Sequence, residues 1–314
     1  MVTGCAGNVG SNLTKALLSQ GFGVVGVDNF FSGLASNMID FMDHPAFHFH
    51  KRSITEKDFM AELYEKYGAL LAVFHLAAII SVPYSMDHAQ ETLEINCDAS
   101  LSLHKLAKES GCGAFVFAGS AAEYGRPLSQ PAREEDAGDP LSPYGLSKHL
   151  VSLAIEESGY GCSLRFFNIY GPTRSKPGPY DGVVRLFLNR TELGLAPTIL
   201  GDGRQMRDFL FLGDAVRALL MGAGIPSGEP LRGVYNVGTG QGTSIEQLAH
   251  RVMRLAKMNG KPEYAPMRQG DIRFSVADNS KLKRDTKWTP DTRLDRGLPL
   301  TIEGMLKLRD PRTS

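Results

Sequence analysis

Along the first half of the chain, short apolar runs alternate with stretches in which apolar residues recur every three or four positions. The runs Gly23–Val27, Phe47–Phe49, Leu71–Leu76 and Ala114–Ala118 have the length and composition of buried strands. Between them, Asn12–Gln20, Lys57–Tyr67 and Thr92–Ser110 have helical spacing. Strands that alternate with helices predict a parallel sheet joined by right-handed crossovers, with helices on both faces. Such an α/β, doubly wound sheet holds its ligands beyond the carboxyl ends of its strands. After about residue 170 the texture changes: "YGPTRSKPGPYDG" and "GIPSGEPLRG" are rich in proline and glycine, and the rhythm becomes irregular. We expect a sheet domain over residues 1–170. Residues 171–314 are expected to form mainly a smaller α/β lobe, with some segments returning to the sheet.

Composition narrows the ligand. Lysine plus arginine equals aspartate plus glutamate, 34 of each, so no net field gathers nucleic acid or anionic lipid. The 314 residues are long enough for two lobes sharing a cleft, and a small molecule is the expected partner. Cys5, Cys97, Cys112 and Cys162 are scattered without CxxC pairing, as reduced cytoplasmic thiols are. The longest apolar run, 69–82, is too short to span a bilayer and contains His75, and no charged region precedes an apolar one at the start. A soluble, unprocessed, cytoplasmic protein is expected. The cluster "HPAFHFH", with His44, His48 and His50, is read as strand residues, and no metal site is expected.

The opening stretch "VTGCAGNVGSN" places Gly4, Gly7 and Gly10 three residues apart after an apolar pair. Val2 and Thr3 read as a strand end, Gly4 to Gly10 as the turn, and Ser11 onward as a helix whose amides would face a pyrophosphate. Only three residues precede the turn, fewer than the usual strand of about five. Eighteen residues after Gly10, "VVGVDNF" ends the second strand at Asp28. A carboxylate there accepts hydrogen bonds from an adenosine ribose and repels a 2′-phosphate, which favours NAD over NADP.

Candidate chemistry lies in "SPYGLSKHL". Tyr144 and Lys148 stand four apart on a predicted helix and share a face. An ammonium beside a phenol is expected to stabilise the phenolate and bring its pKa down toward working pH, which suits general acid–base catalysis. In "FVFAGSAAEYG", Ser120 stands at the carboxyl end of a strand, where a third polar group can hold a substrate hydroxyl.

With these motifs the chain resembles the extended short-chain dehydrogenases, and within them the NAD-dependent nucleotide-sugar epimerases and dehydratases. The resemblance runs through "FHLAA", "LRFFNIYGP", "GDGRQMRDFLFLGDAVRALL", "YNVGTGQGTSI" and "RQGDIRFSVAD", nearly the whole length. It implies a Rossmann fold, tightly held NAD and a homodimer through Thr92–Ser110 and Tyr144–Glu157. It further implies that Gly4, Gly7, Asn8, Val9 and Gly10 cradle the pyrophosphate, with Asp28 and Asn29 at the adenosine ribose and Ser32 and Gly33 near the phosphates. Leu76, Ala77 and Ala78 would line the nucleotide cleft, Asn96 would support it, and Phe167 would border it. Lys148 would also hold the nicotinamide ribose. On the substrate side Ala121 and Val183 join Ser120 and Tyr144, with Asn168, Arg207 and Arg268 on the diphosphate and Asp271 near the nucleoside ribose. Ser53, followed by Ile54, replaces an aspartate that many relatives place near adenine, and Gly119 replaces a common serine or threonine.

The same resemblance bears on the reaction. Dehydratases of the family carry an aspartate and a glutamate at the two positions after the catalytic serine or threonine, and decarboxylases keep the glutamate. Here those positions are Ala121 and Ala122, while Glu123 is one residue late and would face away if the strand continued. The expectation is a 4-epimerase of a UDP-hexose or UDP-N-acetylhexosamine, working through a transient 4-keto sugar. UDP-glucuronate is an alternative, since Arg174 or Lys176 can pair with a carboxylate. A dinucleotide sensor without catalysis is the alternative of another class. Counting seven residues from Arg268 reaches Ser275, the gate position of such epimerases, where a small residue leaves room for an N-acetyl group.

Overall fold

The structure is a computed structural model that describes residues 1–127, 129–174, 182–226, 228–267 and 272–308. In chain order its strands are β1 (Val2–Thr3), β2 (Val24–Val27), β3 (Phe47–His50), β4 (Ala72–His75), β5 (Ala114–Ser120), β6 (Cys162–Phe166), β7 (Asn168–Tyr170), β8 (Thr198–Leu200), β9 (Met206–Phe211), β10 (Gly233–Val237), β11 (Gly242–Ser244), β12 (Glu263–Ala265) and β13 (Phe274–Ser275). Helices α1 (Asn8–Ser19), α2 (Lys57–Tyr67), α3 (Val82–Asp87), α4 (Ala89–Leu93), α5 (Ala99–Glu109) and α6 (Pro143–Ser158) belong to the first half. Helices α7 (Val183–Glu192), α8 (Leu212–Gly222), α9 (Ile245–Leu255), α10 (Ser280–Thr286) and α11 (Leu294–Lys307) belong to the second.

Seven strands form one sheet in the order β10-β6-β5-β4-β1-β2-β3, every pair parallel. This is the expected doubly wound α/β fold. On one face Leu13 and Leu17 of α1 and Ala215 and Leu219 of α8 bury against the sheet. On the other, Phe59 and Leu63 of α2, Leu103 of α5 and Val151 and Ile155 of α6 do the same. The strand order reverses between β1 and β4, which puts the ligand crevice at the carboxyl ends of those two strands.

Local corrections to the predicted elements have identifiable causes. The first strand is as short as expected, Val2–Thr3, but α1 starts at Asn8 rather than Ser11, so Gly10 lies inside the helix. A Cβ on Gly10 would sit 2.1 Å from the Gly4 carbonyl oxygen, so the helix can begin this close to β1 only with glycine there. The predicted helix Thr92–Ser110 begins earlier, at Ala89, and contains a π-helical turn at Glu94–Asp98. That wider turn directs Asn96 inward, where it binds both the N–H and the C=O of Ile79 at 2.8 Å. In the histidine cluster, His50 Nε2 meets the Tyr67 hydroxyl at 3.1 Å and His48 packs on the Tyr67 ring.

After β6 the chain builds a second layer. Strand β9 pairs with β7, β11 and β13, and β8 pairs with β12. Phe187 of α7, Phe209 of β9, Leu248 of α9 and Leu298 of α11 form its core. Asp208, fully buried on β9, ties this layer to the loop after β10. Its carboxylate accepts from Thr239 N (2.8 Å), Thr239 Oγ1 (2.5 Å), Gly240 N (2.9 Å) and Ala277 N (3.2 Å). Glycine at 238 is required, because a Cβ there would lie 2.6 Å from the carboxylate. We expect Asp208→Ala to lower stability by about 3 kcal/mol or more, since it strands four donors in a dry site. Urea unfolding measures this, and a loss under about 1 kcal/mol would show that water replaces the carboxylate.

Candidate active site

One cleft of about 670 Å³ runs across the carboxyl ends of the central strands. Its walls include Gly4, Gly7, Asn8, Val9, Gly10, Asp28, Asn29, Ser32, Gly33, Ser53, Ile54, Leu76, Ala77 and Ala78, and further along Ser120, Tyr144, Lys148, Phe167, Asn168 and Val183. Residues far apart in sequence therefore share one space. The glycines serve proximity. A Cβ on Gly4, whose φ is +71°, would meet Ala77 N at 2.8 Å, and Gly7 caps α1 with no side chain over the helix amides and no acid in the first turn. Those amides stay available to an anion.

Asp28 is nearly buried and held rigid: Oδ2 accepts Ala6 N at 2.9 Å and Oδ1 accepts Phe30 N at 2.7 Å. Each oxygen keeps capacity for another donor. Burial raises the proton affinity of this carboxyl, and the two amides oppose the rise. Ser53 Oγ meets the Thr55 hydroxyl at 2.9 Å, and the Ser53 amide donates to Glu56 Oε1 at 2.8 Å.

The floor between β1 and β4 is carried by a buried relay. Thr3 Oγ1 accepts the amides of Leu76 and Ala77 at 3.2 Å each, so its own proton goes to His75 Nδ1 at 2.7 Å. His75 Nε2 then donates to Ser100 Oγ at 2.7 Å, and Ser100 donates to the Asn96 carbonyl at 2.7 Å. Every proton in the chain is assigned when the imidazole is neutral, and burial pushes its pKa down to about 3. Asn96 is fully buried and does not line the cleft; it holds Ile79, which does.

Ser142 caps α6 by accepting Gly145 N at 3.1 Å, and that start brings Tyr144 to Ser120 across the cleft. The expected Tyr144–Lys148 contact is replaced by another arrangement. Lys148 Nζ donates to the Ala118 carbonyl at 2.8 Å and lies 4.5 Å from the centre of the Phe117 ring. Burial brings its pKa down to about 8, opposed by Glu123. Tyr144 has its proton affinity raised, chiefly by burial; the Ser120 hydroxyl opposes the rise and Glu123 adds to it. The spacing of Tyr144 and Lys148 carries the ammonium but not the desolvation that the same packing imposes on the phenol.

Other expected substrate residues lie elsewhere. Arg207 is half-buried on β9, with Nη1 donating to the carbonyls of Met206 (2.9 Å) and Ile272 (2.7 Å), and is not in the cleft wall. Ala121 and Ser275 line a separate hollow of about 10 Å³ with Phe274, and Phe167 is common to both spaces. Arg268, Asp271 and Lys176 lie outside the described residues. Arg174 does line the cleft; its Nη1 donates to the Ser36 carbonyl and its Nε to that of Leu308 at 3.3 Å. Sequence reasoning missed Arg185 and Thr301, which also face the cleft. Arg185 reads as a surface charge on α7 and Thr301 as a polar residue of the last helix, so spacing carries no signal for either.

A glycine turn before α1, an acid after β2 and a serine, tyrosine and lysine around one cleft define a dinucleotide-binding α/β fold with acid–base groups beside the cofactor cradle. The profile of the NAD dependent epimerase/dehydratase family matches residues 1–238, and the chain belongs to that family. The UDP-glucose 4-epimerase of Mycolicibacterium smegmatis is 35% identical over 309 residues, 96% of this chain and 97% of its own. The crystal structure of UDP-glucose 4-epimerase with UDP-glucose from Thermotoga maritima superposes with a TM-score of 0.89 at 32% identity, covering 98% of both chains. The UDP-N-acetylglucosamine 4-epimerase from Methanobrevibacter ruminantium M1, in complex with UDP-N-acetylmuramic acid, gives 0.89 at 29% identity over 97% of each.

NAD, the family's cofactor, fits the residues present: uncapped helix amides and missing Cβ atoms suit a pyrophosphate, and the Asp28 oxygens suit two ribose hydroxyls. A 2′-phosphate would face a carboxylate that two amides prevent from turning away. We therefore expect NADP to bind at least about tenfold more weakly than NAD, and Asp28→Ser to narrow that gap. Titration calorimetry on cofactor-stripped protein measures both, and equal affinities would place the ribose away from Asp28.

Proposed function

We propose that the chain epimerises a UDP-sugar at carbon 4 through a transient 4-keto sugar, with UDP-glucose and UDP-N-acetylglucosamine as its substrates. The observation that carries this reading is the meeting of Ser120, Tyr144 and Lys148 with the nucleotide cradle in one cleft, beside alanines at 121 and 122. In the dehydratases and decarboxylases that the chain resembles, acidic residues stand where this chain has those alanines. When bound, NAD supplies hydride acceptance and return. Tyr144 takes the proton of the sugar hydroxyl and gives it back. Ser120 accepts the Ala122 amide at 3.1 Å, so its own proton remains to be donated to the sugar or phenol oxygen. Lys148 holds the cofactor ribose and carries positive charge into the site. Residues 1–170 serve the cofactor, and residues 171–314 mainly serve the nucleotide sugar.

A second reading rests on the two arginines in the wall. Arg174 and Arg185 suit a carboxylate, so UDP-glucuronate is the alternative substrate. For assembly we propose a homodimer through α5 and α6, where Leu146, Leu150 and Leu153 are exposed along one helix face. Among the described residues no helix is long and apolar enough to cross a membrane. All four cysteines are buried and unpaired, in keeping with a cytoplasmic site of action.

Tyr144→Phe should lower turnover on UDP-glucose at least about a hundredfold while NAD stays bound. Near-normal turnover, followed by coupled assay of the 4-epimer, would remove Tyr144 from the chemistry, whereas a parent protein that binds NAD and turns over no sugar would favour the sensor alternative. Ser275→Tyr should cut activity on UDP-N-acetylglucosamine about tenfold or more while sparing UDP-glucose, because a phenol at 275 would extend from the hollow that shares Phe167 with the cleft into the space of an N-acetyl group. Equal losses on both sugars would show that Ser275 is not the gate.

A further inference from the structure

Glu123 is left unused by the mechanism above, yet it is fully buried and ionically paired a few residues from Ser120. Strand β5 stops at Ser120 and the chain turns into a 3-10 turn, Ala121–Tyr124, so strand alternation does not apply beyond that point. The turn swings Glu123 back under the strand end. Its Oε1 accepts the Ser120 amide at 2.8 Å, and its Oε2 accepts Arg165 Nε at 2.6 Å. Arg165 comes from β6, where it is the register partner of Gly119, and is itself 3% exposed. Its Nη1 donates to the Glu134 carbonyl at 2.7 Å and to the Tyr124 hydroxyl at 3.3 Å. Gly119 makes room for the pair, since a Cβ there would meet Glu123 Oε1 at 2.8 Å and Ser163 Oγ at 2.5 Å.

A dry ion pair gives little net stability against an apolar pair of equal volume, so its retention calls for another reason. Two are visible. The carboxylate clamps the amide of the residue whose hydroxyl faces Tyr144, and the same turn supplies the Ala122 amide that orients that hydroxyl. It also sets a negative charge behind α6, where it acts on Tyr144, Lys148 and His149. The remaining charged or titratable groups around it are Arg165 from β6, Tyr124 of its own turn and Glu134 from the following loop. Glu123 does not line the cleft.

We propose that Glu123, held by Arg165, is a positioning residue for the reaction, fixing the Ser120 hydroxyl in front of Tyr144 and setting a fixed negative charge behind the reacting pair. The proposal rests on Ser120 and Tyr144 being the reacting pair. Glu123→Gln keeps an acceptor for the Ser120 amide but removes the charge. The double replacement Glu123→Leu with Arg165→Met removes charge and acceptor together, and leaves no unpaired cation in the core.

For Glu123→Gln we expect the acid limb of kcat against pH, with UDP-glucose, to move down by about one unit. The double variant should retain NAD and melt within a few degrees of the parent. Its limb should shift in the same direction, and kcat should fall about tenfold or more with KM changed less than about threefold. A folded double variant with kcat within twofold of the parent and an unmoved limb would overturn the proposal and make the pair purely architectural. Tyr144→Phe, measured alongside, separates the two ideas: full activity there sinks the reading of the site, whereas an inactive Tyr144→Phe with an indifferent double variant sinks only the role of Glu123.

Discussion

Gly4 backs onto the peptide between Leu76 and Ala77 so closely that a Cβ would lie 2.8 Å from the Ala77 nitrogen. From that approach the rest of the cofactor half follows. The turns after β1 and β4 can touch only if one has no side chain, and once they touch, the Thr3 hydroxyl reaches both Leu76 and Ala77 amides. A second contact repeats the rule one turn later, where Gly10 sits over the Gly4 carbonyl and lets α1 start at once. The relay through His75 and Ser100 then connects this crossing to α5 and the π turn, so the cleft floor is supported from beneath. The relay works only with a neutral ring, and a fully buried imidazole remains neutral throughout the physiological range.

Interactions of short range were legible in the chain. The glycine turn, Asp28 at the end of β2 and the Tyr144–Lys148 spacing each express a local geometric need, and local needs leave marks at fixed offsets. Ser120 became visible through its place at a strand end. What spacing does not carry is the balance of solvation and charge after packing. Lys148 is in the cleft as expected, but its ammonium serves the Ala118 carbonyl, and burial is the chief cause of the raised proton affinity of Tyr144.

Glu123 shows the other limit. Strand alternation pointed it away from the cleft, and it does stay out of the cleft wall, though through a 3-10 turn rather than a continued strand. Its partner Arg165 is 42 residues away in an apolar strand, with no local pattern to announce it. Asp208 is hidden in the same way: its four donors come from segments 31 and 69 residues downstream, and only the unusual run of glycines after β10 hints that something packs tightly there. Asn96 read as a cleft-supporting residue, but the inward aim depends on a π turn that a periodic pattern does not reveal.

The central sheet takes its last strand, β10, from beyond α7, β9 and α8, and β10 pairs with β6 over Gly233–Val237. During synthesis from the N-terminus, the sheet therefore spends the time needed to make about seventy residues with the whole of β6 exposed as a bare edge. The first six strands can assemble as they emerge, yet that edge is closed only when the chain has gone out through the second layer and come back. Maturation of the cofactor-holding half is thereby tied to completion of the other, and a nascent chain stalled between them would present an open, apolar strand to any neighbour able to pair with it.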